Sequence, residues 1–192
     1  MATKTERVEV TDRRAVIHAA AIREFSARGY SATSMANIAD AAGVSRPALY
    51  QYFQNKGDIF ASAFEALMNQ CVDRSLESLQ APGTLADQLD GFLQRFDGDL
   101  WEQMAASPHS QELLDAKYEH AAHVGIGPMQ RLHKGLSTHL RTTGAPSARR
   151  AEWAEMLELS PKGFKIDQPS VAVYRRRLTA LARSVAADIS AA

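Results

Sequence analysis

Apolar residues recur along most of this chain at intervals of three and four, the repeat of one face of an α-helix. Ile17, Ala20, Ala21 and Phe25 set a first helix over about 12–28, stopped by Gly29. Thr33 or Ser34 can cap a short second helix over 35–42, which Gly43 ends, and Ser45 can cap a third over 46–53. Asn55 and Asp58 resemble a capping pair for a fourth helix from Lys56 to about Gln80, where Ala81-Pro82-Gly83 breaks it. Further helices are predicted over about 85–106, 108–123, 129–142, 147–159 and 170–190, with Ser160 to Pro169 as a loop. Strand-like alternation is scarce. The expected fold is all-α, with about nine helices: an N-terminal three-helix helix-turn-helix domain and a helical C-terminal domain. The first is placed at 11–71 and the second at 72–192, joined rigidly by the fourth helix.

Chemistry concentrates between Thr33 and Lys56. Two short helices meet there at a tight turn containing Gly43, which tolerates the left-handed backbone such a turn needs. Ala39 is small where the helices must cross, and Ile38, Val44 and Leu49 are apolar where the pair must pack on the first helix. The second helix of the pair carries Arg46, Tyr50, Gln51 and Tyr52, followed by Asn55-Lys56 at the next helix start. Arg and Gln can read base edges in a major groove, while Tyr hydroxyls and Lys reach phosphates. The free amides of the fourth helix's first turn offer a phosphate site beside Lys56. Ile38, Val44, Leu49 and Phe53 need only a core to explain them, and Tyr50 can pack its ring while leaving its hydroxyl free.

Residues 13–60 resemble the DNA-binding domain of the tetracycline-repressor (TetR) family. The matching positions are Ile17, Ala20-Ala21, Phe25, Gly29-Tyr30, Thr33-Ser34, Ile38-Ala39, Ala42-Gly43-Val44-Ser45, Leu49-Tyr50, Phe53 and Lys56. The resemblance implies that Thr33 or Ser34 contacts phosphate. It places Arg46, Pro47, Ala48 and Gln51 against the groove, and Tyr50, Tyr52 and Lys56 on the backbone. Pro47 and Ala48 offer methylene and methyl surface, suited to thymine methyls, so base readout falls mainly to Arg46 and Gln51, with DNA shape carrying part of the specificity. The implied partners are a double-stranded DNA operator, a second copy of the chain and a small-molecule effector, and the implied activity is ligand-responsive repression of transcription.

Beyond the head the resemblance is one of helix order only. The last helix carries Tyr174, Leu178, Leu181 and Val185 on one stripe, and the eighth supplies Ala151, Ala154 and Leu157. The family pairs its last two helices with their symmetry mates, which would make these residues a dimer interface; the same stripe would serve equally to pack its own domain. An effector pocket, again by resemblance, would draw on Phe64, Met68, Cys71, Phe96, Leu100, Trp101, Met104 and Tyr118, each also a candidate for plain core.

Composition adds little. Net charge is +0, with eight basic residues against six acidic ones in the first 60 positions, a bias that favours a nucleic-acid-binding head. The single Cys71 can form no intramolecular disulfide, no apolar run approaches membrane-spanning length, and the start lacks a signal-peptide core, so a cytoplasmic protein without membrane contact is expected. No cofactor is expected. His120 and His123 share a helix face as half of a metal site, and nothing in the sequence completes it. An enzyme is the rival reading, against which stands the lack of Glu-x-x-His pairs, a Gly-x-Ser-x-Gly turn or a phosphate-cradling glycine loop. A helical protein that uses its N-terminal helices on a protein partner is the other rival.

Overall fold

The computed structural model describes residues 4–122 and 124–192, with side chains from Arg13 onward. His123, the expected partner of His120, lies outside the described residues. Among the described residues ten α-helical segments run in order: α1 (Lys4–Arg28), α2 (Met35–Ala42), α3 (Arg46–Tyr52), α4 (Lys56–Ser78), α5 (Leu85–Leu93), α6 (Asp99–Ala105), α7 (Ser110–His120), α8 (Ile126–Thr142), α9 (Arg150–Gly163) and α10 (Val171–Ala191). The backbone between α5 and α6 is a π-helical turn over Gln94–Gly98, so these two form the one interrupted rod expected over 85–106. The all-α expectation holds: among the described residues there is no strand. None of the helices searched is long and apolar enough to cross a membrane.

Packing divides the chain into two units. One holds residues up to Leu67 together with Ala106–Gly125 from later in the chain; the other holds Met68–Ala105 and Ile126–Ala192.

In the first unit, Ile17, Ala21 and Phe25 of α1 meet Ile38 and Ala39 of α2, Leu49 of α3, Phe53, and Ile59 and Phe60 of α4, all buried. Ala116, Ala121 and Val124 close the same core. Phe25, Tyr30 and Phe60 form a ring triangle with centroids 5.4–5.5 Å apart, two of its three pairs edge-on, and His120 adds a fourth ring 5.0 Å from Tyr30. α1 extends upstream of residue 12 as far as Lys4 in the described residues, and no Gly or Pro interrupts 4–28.

In the second unit, α5 and α10 make the most extensive pairing. Leu89, Phe92, Leu93 and Phe96 pack with Tyr174, Leu178, Ala182, Val185 and Ile189, and Trp153, Ala154 and Leu157 of α9 and Leu132, Leu136 and Leu140 of α8 are buried with them. The start of α9 is tied to the end of α10: Arg149 donates two hydrogen bonds to Asp188, and the Trp153 indole donates a third at 2.9 Å. On the π turn, Asp97 accepts from Lys165 Nζ at 3.0 Å and from the Tyr174 hydroxyl at 3.4 Å, and burial nevertheless holds its carboxyl above the ordinary range.

The loop expected over Ser160 to Pro169 is partly helix. α9 continues to Gly163 through Pro161, whose ring is buried and whose carbonyl accepts from the Tyr174 hydroxyl at 3.2 Å. Tertiary packing of Pro161 outweighs the missing amide.

Candidate nucleic-acid interface

Local chemistry fixes the helix-turn-helix. Ser34, in extended backbone, caps α2: its Oγ accepts the Asn37 amide at 3.1 Å, and its own amide donates to Asn37 Oδ1 at 2.9 Å. Gly43 ends α2 at φ 65°, ψ 32°, and the next amide, Val44, returns to the Ala39 carbonyl at 3.0 Å. Ser45 Oγ then accepts the Ala48 amide at 3.3 Å, and Pro47 sits in the first turn of α3, where its missing N–H has no bond to lose. Leu49 anchors α3 in the core at 0% exposure, while Tyr50 on the adjoining face is 51% exposed. Arg46, Pro47 and Gln51 are exposed beside it, and Ala48 and Tyr52 are half-buried. α3 therefore turns a basic and amide-bearing face outward over an apolar foot.

The far end of α3 is held by a residue that the sequence reading did not single out. Arg14 of α1 reaches the Tyr52 carbonyl at 3.5 Å and lies over the Phe53 ring, 5.0 Å from its centroid. His18, next along α1, meets Ser62 Oγ at 2.9 Å and packs on the Phe53 ring; burial and the Arg14 charge hold its imidazole below its ordinary value. Only the i, i+4 spacing of Arg14 and His18 hinted that both share one face.

Thr33 is not available as a phosphate contact. It is 2% exposed, and its hydroxyl donates to the Gly29 carbonyl at 2.6 Å and reaches the Glu24 carbonyl at 3.2 Å. Ser34 is the exposed member of the pair. Lys56 opens α4 with its ammonium 2.6 Å from the Tyr30 carbonyl, 3.3 Å from the Ser31 carbonyl and 4.3 Å from the Tyr30 ring centroid. Desolvation holds it below the ordinary lysine value. Asn55 Oδ1 caps the same turn, accepting the Asp58 amide at 2.9 Å.

A model of bacterial regulatory proteins of the tetR family matches residues 17–63, the stretch from α1 into α4. This region is similar to the DNA-binding region of the tetR family. The HTH-type transcriptional regulator AcrR of Shigella flexneri is 40% identical to this chain over 77 residues, 40% of the chain and 35% of AcrR. A fatty acid metabolism regulator protein of Bacillus subtilis is 34% identical over 70 residues, 36% of each. The matches thus span about a third of the length of these curated relatives. A crystal structure assigned to a TetR-family transcriptional regulator of Mesorhizobium loti shares the fold with a TM-score of 0.62 at 20% identity, covering 97% of this chain and 98% of that one.

The other expected sites fare differently. Ala154, Leu157, Tyr174, Leu178 and Val185 are at most 2% exposed in the single chain, so their apolar surface is already spent inside their own unit; Leu181 is half-buried and Ala151 exposed. The helical repeat of an interface stripe and of a core stripe is the same, and here it is core. Of the expected effector-pocket residues, Phe64 and Tyr118 lie in the head unit, each ring 5.6 Å from Lys117 Nζ. Met68, Cys71 and Phe96 are buried in the second unit; Leu100 and Met104 are half-buried, and Trp101 packs at a tilt on the Tyr174 ring and donates to the Pro169 carbonyl. Two open grooves mark the second unit, of about 700 Å³ between α8 and α9 and about 500 Å³ between α4 and α8, and none of those residues lines either. No cluster of three or more metal-ligating side chains occurs among the residues searched.

Proposed function

We propose that this chain is a DNA-binding regulator of transcription that seats α3 in the major groove. The observation that carries the reading is the face of α3: Arg46, Pro47, Tyr50 and Gln51 exposed beside a fully buried Leu49, on a turn locked by Ser34, Gly43 and Ser45. Arg46 and Gln51 have the donors to read base edges, and Pro47 and Ala48 the surface for thymine methyls. Tyr50, Tyr52, Ser34 and Lys56 reach phosphates, with Lys56 spending part of its ammonium on the turn before α2. Two heads bind successive half-sites, which requires a dimer. Its face is drawn from the outward sides of the last two helices, where Ala151, Met156 and Leu159 are exposed on α9 and Ala180, Ser184 and Ala187 on α10. A small-molecule effector that weakens operator binding would relieve repression, and one relative similar over the N-terminal region is named as a fatty acid metabolism regulator.

The test is a pair of truncations. Arg46→Ala and Gln51→Ala should each lower affinity for an operator selected from random-sequence duplexes by about tenfold or more, and change the preferred base at one position per half-site. Unchanged preference in both variants would move readout off α3.

A further inference from the structure

The turn that joins α1 to α2 is held from outside the helix-turn-helix. Glu112, in the first turn of α7, accepts the Ser31 amide on Oε1 at 2.6 Å, and these hydrogen bonds keep its carboxyl below the ordinary range. Gly29 stands at φ 82°, and a Cβ there would overlap the same carboxylate. The backbone favours glycine here, and a side chain would also push the Glu112 carboxylate off the turn. Ser107, just before α7, donates to the Ser26 carbonyl at 2.9 Å, and His120, at its end, packs on the Tyr30 ring. Lys56 donates to the Tyr30 and Ser31 carbonyls, so one short turn is gripped by an anion on its amide and a cation on its carbonyls.

We propose that Glu112 is a positioning residue for DNA binding. Its carboxylate fixes the α1–α2 turn, and through that turn sets the place of Lys56 and the start of α2 at Ser34. Residues 106–125 are then a working part of the DNA-binding head, although they lie far outside the matched 17–63. The proposal rests on the reading of the head as a DNA-binding surface. The physical reason is preorganisation. An exposed turn without its anchor samples other conformations, and DNA must then restore the order as it binds, at a cost of about 1–2 kcal/mol for a single backbone residue, which is a loss of about tenfold in affinity.

The test uses the full chain as wild type, Glu112→Ala and Glu112→Gln, with duplex affinity read across salt concentrations, amide exchange read at Ser31, and thermal melting as the control for folding. Glu112→Ala should bind about tenfold more weakly. Its slope of log affinity against log salt should be shallower by about one, the contribution of a single lysine–phosphate contact. Glu112→Gln keeps an acceptor for the Ser31 amide and should fall between the two, and the Ser31 amide should exchange faster in Glu112→Ala. Wild-type affinity and slope in both variants, or a loss that only follows the unfolded fraction, overturns the proposal. If wild type itself binds no DNA, the functional reading fails, while the Ser31 comparison still decides the clamp: faster exchange in Glu112→Ala supports it and unchanged exchange overturns it.

Discussion

Thr33 and Ser34 are neighbours of like chemistry, and the structure gives them opposite work. Thr33→Val keeps shape and volume but removes the hydroxyl that donates to the Gly29 carbonyl at 2.6 Å. Both residues are buried, so that carbonyl is left without its donor and water cannot replace it. Leaving a buried acceptor short costs about 1–3 kcal/mol. In a cooperatively melting unit of about 60–100 residues each kcal/mol lowers the melting temperature by about 4–8 °C. Thr33→Val should therefore lower the melting point of the head by several degrees, and Thr33→Ser, which keeps the donor, should recover most of it. Duplex affinity measured well below the melting point should change little, and its salt slope not at all. Ser34→Ala should behave differently: loss of the α2 cap costs about 1 kcal/mol, and duplex affinity should fall as well. The assays are circular-dichroism melting and fluorescence anisotropy on the same preparations. A Thr33→Val protein that melts like wild type but loses DNA affinity would refute the assignment of Thr33 to the fold.

Gly43→Ala should cost about 1 kcal/mol by denaturant titration, from left-handed backbone alone, because a Cβ there meets nothing within 4 Å; a loss of several kcal/mol would mean hidden crowding. His139 is buried, its Nε2 has no partner, and desolvation holds it below its ordinary value of 6.5. The unfolded chain then takes up a proton that the native imidazole resists, so stability should fall as pH drops below about 6.5. His139→Leu should flatten that fall in melting temperature between pH 7 and 5; an equally steep fall would place the dependence elsewhere, first at His18, which is shifted the same way. Lys165→Met should destabilise the second unit by about 3 kcal/mol in urea, because it strands the buried Asp97 carboxylate, and Asp97→Asn in the same background should restore part of the loss.

The head was largely legible in the sequence because its signals are local. Ser34, Gly43 and Ser45 each act within four residues of themselves, and each caps or ends the helix it was expected to. What escaped the reading is decided across the chain. Nothing within 106–125 marks it as a partner of α1, since the Glu112–Ser31 bond joins residues 81 apart. Pro161 reads as a helix breaker until the Tyr174 hydroxyl is seen to donate to its carbonyl in the core. The stripe of Tyr174, Leu178 and Val185 has the spacing of an interface and the burial of a core, and spacing alone cannot tell these apart. Asp97 pairs with Lys165, and Asp99 and Glu102 with Arg175, all partners from more than 60 positions away that no local pattern marks.

The central claim is that α3 and its flanking phosphate contacts bind duplex DNA. It is tested most directly by fluorescence anisotropy of the full chain on labelled duplexes from the intergenic DNA beside its own gene, repeated from low to physiological salt. The account predicts tight binding to one fragment, far above random DNA, with log affinity falling steeply against log salt by about 0.9 for every phosphate neutralised. Binding that is weak, equal on every duplex and insensitive to salt would contradict it.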